Sequence, residues 1–279
     1  DTTVTRLIGL AILEELGLNE EQVDSLQKIP YEVLYNAGTA AKNKILRKLR
    51  EEGIAAARLE WAPSIDGDVM PYQLGSPEGV AISKDIPLMI GTTKNEVAAA
   101  MGNSLKPDAT MNDIKEILTR THGNKTDDFV LAVQKDHPNL TNPKELLDID
   151  VIFRPIAVHI ANSKSKLTGG APTYLYMFSW QSPVLDGSLK APHCIEIGFA
   201  FNNIAVNREF TGDSKETYAL ADLVSKTWTR FAATGNPNGA GSPEWQGYTK
   251  ENGLTMFFDN PCKVVAHYDK TLMDFLSIN

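Results

Sequence analysis

Two cysteines, Cys194 and Cys262, are too few among 279 residues to form a disulfide framework. A single bridge between them stays open on sequence grounds, but a reducing compartment, and so a cytoplasmic location, is the expectation. No apolar run is long enough to span a bilayer, which excludes a membrane-spanning helix. The opening Asp1-Thr-Thr-Val4 leads directly into a helical pattern, without the charged and apolar regions of a secretory leader. Metal-ligand spacings, Gly-rich phosphate loops, internal repeats and low-complexity tracts are all missing, so neither a metal nor a cofactor is expected. An excess of positive charge is missing too. The 27 basic and 35 acidic residues leave a net charge of −8, which argues against a nucleic-acid partner and weakly favours a neutral or cationic small molecule.

The composition is 42% hydrophobic and 22% charged, enough apolar residues for one large or two modest globular domains. Apolar residues from Leu7 to Leu16 predict a helix over 4–16, stopped at Gly17. Asn19, with Gln22 three residues on, caps the next short helix. The basic run over 38–58 reads as a solvated helix face, its charge diluted by Glu51 and Glu52. Pro63 and Pro71 bar a helix from 61–75, where Asp66-Gly67 predicts a turn in a short hairpin-like excursion. Helices are expected over 112–120, 126–136, 149–162, 214–234 and 269–277, with another opening at Pro143. The β-branched and aromatic runs at 86–92 and 173–180 predict buried strands. Those at 254–258 and 263–268 predict a closing hairpin. His122 and His137 sit in polar turns and read as surface residues. His159 reads as packed on its helix, and His267 as lying on the hairpin's exposed edge.

Two residues occupy the places where chemistry is done in a parallel sheet, on loops beyond strand ends. Glu96 follows the strand at 86–92 and precedes an alanine-rich helix start, where a carboxylate is favoured in its ionised form. His193 follows the strand at 173–180 across a turn-rich connection and can serve as a general base near neutral pH. Taken singly, each has a plainer reading: a capping acid for Glu96, and a loop histidine bonded to backbone for His193.

Their order and setting, together with several longer pieces, resemble the carboxylesterase type B family, which includes cholinesterases and bacterial para-nitrobenzyl-esterase-like enzymes. The pieces are Asp66-Gly67 with Pro71, Ile86-Pro-Leu-Met-Ile-Gly-Thr-Thr-Lys-Asn-Glu96, Phe153-Arg-Pro155 and Tyr174-Leu-Tyr-Met-Phe178. They continue with His193-Cys-Ile-Glu-Ile-Gly-Phe-Ala-Phe201 and Trp228-Thr-Arg-Phe-Ala-Ala-Thr-Gly-Asn-Pro-Asn238, in the family's order. The resemblance implies an α/β fold, the C-terminal half of an α/β-hydrolase with a mostly parallel sheet flanked by helices, and a single such domain part over residues 1–279. It makes Glu96 the triad acid, His193 the triad base and Glu196 a buried acid behind them, in a serine carboxylesterase acting on a small-molecule ester without a cofactor.

The departures bear on that implication. No Gly-x-Ser-x-Gly occurs, and the nearest look-alike, Gly75-Ser-Pro-Glu-Gly79, has its serine one place early in what reads as a loop. The nucleophile and oxyanion glycines are therefore expected in an N-terminal half of the same protein, which becomes the chain's first partner. The chain by itself is expected to be inactive. Half a sheet leaves an edge uncovered, so it is also expected to dimerise, aggregate or need that half. Cys194 stands where many relatives have glycine. Arg154 stands where secreted animal relatives have a disulfide cysteine, which fits a bacterial member. The competing reading is a binding or adhesion module of the same fold that has lost catalysis. Lys190, on the His193 loop but outside the triad, is expected to matter little.

Overall fold

The computed structural model describes residues 2–53, 61–97, 108–239 and 241–277. Two compact units divide the chain, Asp1–Leu74 and Gly75–Asn279.

In the first unit, α1 (Thr2–Glu15) ends where Gly17 turns left-handed at φ 67°. A short 3₁₀ helix (Glu20–Lys28) follows, with the Asn19 backbone N–H donating to Gln22 Oε1 at 3.1 Å. Helix α2 (Tyr31–Glu51) presents Ala41, Ile45 and Leu49 at four-residue spacing to Ile8 and Ala11 of α1. The basic run lies on the solvated side: Lys44 pairs with Glu14 at 2.8 Å, and Lys42 lies over the Trp61 ring at 5.1 Å. The helix begins and ends earlier than the expected 38–58, and 54–58 lie outside the described residues. No strands flank Asp66-Gly67, so the expected hairpin reduces to a turn. There Asp66 Oδ1 accepts from the N–H groups of Asp68 (2.9 Å) and Met70 (2.8 Å).

The second unit is built on a four-stranded sheet in the order β1 (Leu88–Thr93), β2 (Thr173–Phe178), β3 (Leu254–Phe258), β4 (Lys263–Ala266). The first three strands run parallel and β4 pairs antiparallel with β3, as a hairpin. Alternation along β2 divides the core. Tyr174 and Phe178 face Ile195 of α7 (Ile195–Ala200) and Leu220 and Val224 of α9 (Lys215–Thr234), with Trp245 and Phe258 in the same cluster. Leu175 faces the other way, to Ala157 and Ala161 of α6 (Phe153–Ser165). A satellite core joins α4 (Met111–His122) and α5 (Thr126–Asp136) to α10 (Lys270–Phe275) through Ile114, Phe129, Val133 and Leu272. Short helices α3 (Pro77–Ile82) and α8 (Ile204–Thr211) complete the described α-helices, and further 3₁₀ helices span Gly123–Lys125, Pro143–Asp148 and Val184–Gly187.

Gly91 lies inside β1, opposite Tyr176. A Cβ there would come within 2.4 Å of the Tyr176 carbonyl oxygen, so only glycine permits the two strands to approach. Strand β1 is half-buried from Leu88 to Gly91 rather than buried as expected, because among the described strands it is at the sheet edge. His122 and His137 also depart from expectation. His122 is half-buried and stacks on Phe129 with ring centroids 4.1 Å apart; His137 is half-buried against Tyr268 at 4.9 Å. Burial pushes both imidazoles below their ordinary pKa. Both cysteines are free, and no helix among the described residues is long and apolar enough to cross a membrane.

Candidate active site

Strands β1 and β2 end side by side, and the pairing runs one step further as Lys94 N–H donates to the Phe178 carbonyl at 2.9 Å. The chain leaving β1 then turns so that Glu96 folds back on its own strand end. Glu96 Oε1 accepts from the Thr93 N–H at 2.7 Å, which fixes the carboxylate although it is buried. The alanine-rich helix start expected after Glu96 lies outside the described residues.

The chain leaving β2 returns by a longer route. Leu185 and Asp186 take left-handed backbone, and Ser182 N–H donates to the Lys190 carbonyl at 2.8 Å to close the excursion. His193 follows between fully buried Ala191 and Ile195, which anchor its loop in the core. Cys194 sits at φ 68° immediately before α7, a region that favours glycine, so its thiol side chain is tolerated there at a cost of about 1 kcal/mol.

Glu96 and His193, 97 residues apart, meet at the carboxyl edge of β1 and β2: His193 Nδ1 lies 2.5 Å from Glu96 Oε2. An ionised carboxylate only accepts, so Nδ1 carries the proton and donates it. Nε2 is then left with the lone pair, and it meets no hydrogen-bonding partner among the described residues. The imidazole side chain is 55% exposed whereas that of Glu96 is 6% exposed. One face of the ring stacks on Phe153, centroids 5.4 Å apart and planes 24° from parallel. Phe153 is held there by a cap at the start of α6: Asp150 Oδ1 accepts from the N–H groups of Ile152 and Phe153 at 2.9 Å, and Oδ2 from Arg154 at 2.7 Å.

Glu196, on the first turn of α7, is half-buried, and its Oε2 is buried without a hydrogen-bond partner among the described residues. Burial raises its pKa; its own backbone N–H and His193 oppose that rise, and the Glu96 charge adds to it. Burial likewise pushes the Tyr176 phenol up, with Glu196 and Glu96 adding to the shift.

Glu96 and His193 are thus brought together, with Glu196 in their electrostatic field. Two cavities, of about 430 and about 460 Å³, are lined by other residues. Ser76 of the look-alike segment caps α3, its Oγ accepting from the Gly79 N–H at 3.1 Å. The segment therefore opens a helix rather than lying in a plain loop, but among the described residues no strand precedes it, and its hydroxyl is engaged as a cap. On the His193 loop, the Lys190 ammonium pairs with Asp148, whose side chain is 5% exposed. Asp150 and Phe153 were not singled out as site residues. An acid three residues before Phe-Arg-Pro is a capping signal that would have found the first. Among the described residues no cluster of His, Cys, Asp or Glu could hold a metal.

A parallel sheet flanked by helices, with acid and base following neighbouring strands, is the arrangement of an α/β-hydrolase. The chain belongs to the carboxylesterase family, which it matches over residues 11–276. The para-nitrobenzyl esterase of Bacillus subtilis (strain 168) is 27% identical over 258 residues, 90% of this chain and 48% of that protein. Carboxylesterase 1C of Rattus norvegicus is 30% identical over 245 residues, 78% of this chain and 43% of that protein. Among solved structures, an esterase from anaerobic Clostridium hathewayi that can hydrolyze aliphatic aromatic polyesters superposes with a TM-score of 0.69. It is 27% identical and covers 97% of this chain, which covers 51% of it. The chain spans about half the length of these relatives.

Proposed function

We propose that this chain supplies the base and the acid of a serine carboxylesterase whose nucleophile lies in a segment outside the 279 residues, within one α/β-hydrolase domain. His193 Nε2 takes the proton from the serine hydroxyl as its oxygen adds to the ester carbonyl. The imidazolium then returns that proton to the leaving alkoxide as the tetrahedral adduct collapses to an acyl-enzyme. Water repeats the sequence against the acyl-enzyme, giving the acid and free serine. Glu96 holds the Nδ1–H tautomer and stabilises the imidazolium without taking its proton. Glu196 is a half-buried acid behind the pair, and the substrate is a small-molecule ester that needs no cofactor.

The observation that carries this reading is the 2.5 Å contact between Glu96 and His193 with Nε2 left open. Its test uses para-nitrophenyl acetate and a fluorophosphonate label. The 279-residue chain should neither turn over the ester above background nor take the label. The longer product of the same gene should do both, through a serine in Gly-x-Ser-x-Gly. Stoichiometric labelling of the 279-residue chain, or another residue at that serine's place, would sink the reading; the latter would favour a binding module.

A further inference from the structure

The acid and the base are carried by two separate loops at one sheet edge, so something must hold the loops in register. The residue that does so is Asn95, beside Glu96. Its backbone N–H donates to the Ala191 carbonyl at 3.0 Å, and its side-chain Oδ1 accepts from the Ala191 N–H at 3.3 Å. The two bonds close a ring between one residue on each loop, so that the Asn95 side chain does the work of a missing strand neighbour. The far end of the amide makes a longer contact, from Nδ2 to the Asp148 carbonyl at 3.5 Å, and Gln181 Nε2 approaches Oδ1 at 3.5 Å. Asn95 is 7% exposed and Ala191 fully buried, so water does not replace these bonds cheaply. Within this ring Asn95 directly precedes Glu96, and only Pro192 lies between Ala191 and His193.

We propose that Asn95 is a positioning residue: its paired bonds to Ala191 set the separation between the Glu96 carboxylate and His193 Nδ1. The proposal rests on the functional reading above only for its catalytic consequence. Removing the side chain leaves the Ala191 N–H buried without its partner, and the two loops keep one bond where they had two. A shift of about 1 Å at a reacting group can lower turnover by about 10²-fold. The bond itself can be read without any turnover.

The experiment is proton and nitrogen NMR of the histidine-labelled 279-residue chain, following the Nδ1–H of His193. The unsubstituted chain should show that proton far downfield and slow to exchange. Asn95→Ala should lose the signal to exchange with water while the rest of the spectrum stays dispersed. Tyr248→Phe, which removes a buried bond to Asn162 of 2.8 Å elsewhere, should leave the signal in place. If Asn95→Ala does not fold, Asn95→Ser, too short to reach Ala191, should show the same loss. A folded Asn95→Ala or Asn95→Ser that keeps the signal overturns the proposal. So does failure of both to fold while Tyr248→Phe folds, which would make Asn95 a folding residue. In the longer gene product, Asn95→Ala should lower kcat by about 10²-fold with little change in KM. If that product hydrolyses no ester but the signal is still lost, the clamp stands and the esterase reading falls.

Discussion

Two ion pairs in the second unit begin from the same ingredients and end as different devices. Asp269 and Glu96 both bury their carboxylates, at 8% and 6% side-chain exposure. Arg154, 4% exposed, answers Asp269 with two parallel bonds, Nε to Oδ2 at 2.9 Å and Nη2 to Oδ1 at 3.0 Å, and adds Thr255 at 3.3 Å. Against that carboxylate the guanidinium is held firmly charged, although burial alone would lower its pKa. The pair is sealed, and it ties the start of α6 to the segment before α10 and to β3. His193 answers Glu96 with one nitrogen and leaves the other open. A guanidinium cannot give up its proton in a protein and has no free lone pair, whereas an imidazole offers a lone pair and, once protonated, can release the proton near neutral pH. Burial of both partners makes a strut; burial of the acid alone makes a group that can move a proton.

The sharpest break of this comparison is at His193. In the longer gene product, His193→Ala should lower kcat by about 10⁶-fold, the scale of a lost triad base. Glu96→Gln should lower it by about 10⁴-fold, because an amide that donates toward Nδ1 favours the wrong tautomer. Both variants should stay folded, since the ring is half-exposed and the amide oxygen of Glu96→Gln can still accept from the Thr93 N–H. A loss below about tenfold for His193→Ala, measured on para-nitrophenyl acetate, would remove the base role.

At the sealed pair the effect should appear in stability. Arg154→Ala strands a buried carboxylate and should cost about 3–5 kcal/mol in urea unfolding of the 279-residue chain. Replacing both partners by apolar residues, Arg154→Met with Asp269→Leu, should recover most of that cost, because neither charge then needs solvating. A cost under about 1 kcal/mol for Arg154→Ala would mean that the pair is solvated after all.

The difference between the pairs also marks what the sequence could reveal. Strands β1 and β2 were legible from apolar runs, although the runs place their ends at Thr92 and Trp180 where the strands end at Thr93 and Phe178; Glu96 and His193 on the loops beyond were legible too. Helix α9 was legible as well, since Ser214 caps it and Gly235 ends it at φ 73°. Neither ion pair could be read locally, because their partners lie 97 and 115 residues apart and no short-range pattern encodes that meeting. Helices α7 and α8 were missed for another reason: they are short, and tertiary packing of Ile195, Phe199 and Ile204 fixes them rather than any periodicity. His122 and His137 misled because turn-forming neighbours speak for the backbone, while each ring packs on an aromatic far from its own turn's surface. Asn95 carried no signal at all, since its partner Ala191 is specified only by the meeting of two loops.

The smallest effect should lie behind the open pair, at Glu196. Burial, with the Glu96 charge adding to it, holds this carboxyl above its unfolded-state pKa of about 4.3. Between the unfolded and folded values the native chain therefore binds more proton than the unfolded chain. Stability then falls as pH rises through that window, and the favourable contribution is complete only below the unfolded value. Glu196→Gln cannot titrate, so it lacks this term while every other carboxyl remains the same. Relative to the variant, the unsubstituted chain should lose stability as pH is raised from about 4.3, until Glu196 is ionised in the folded state. The measurement is the urea midpoint of both chains across that range. A difference that stays constant with pH would show that Glu196 keeps its unfolded-state pKa in the folded protein, and one that grows in favour of the unsubstituted chain would show that its ionised form is stabilised there; either outcome overturns the prediction.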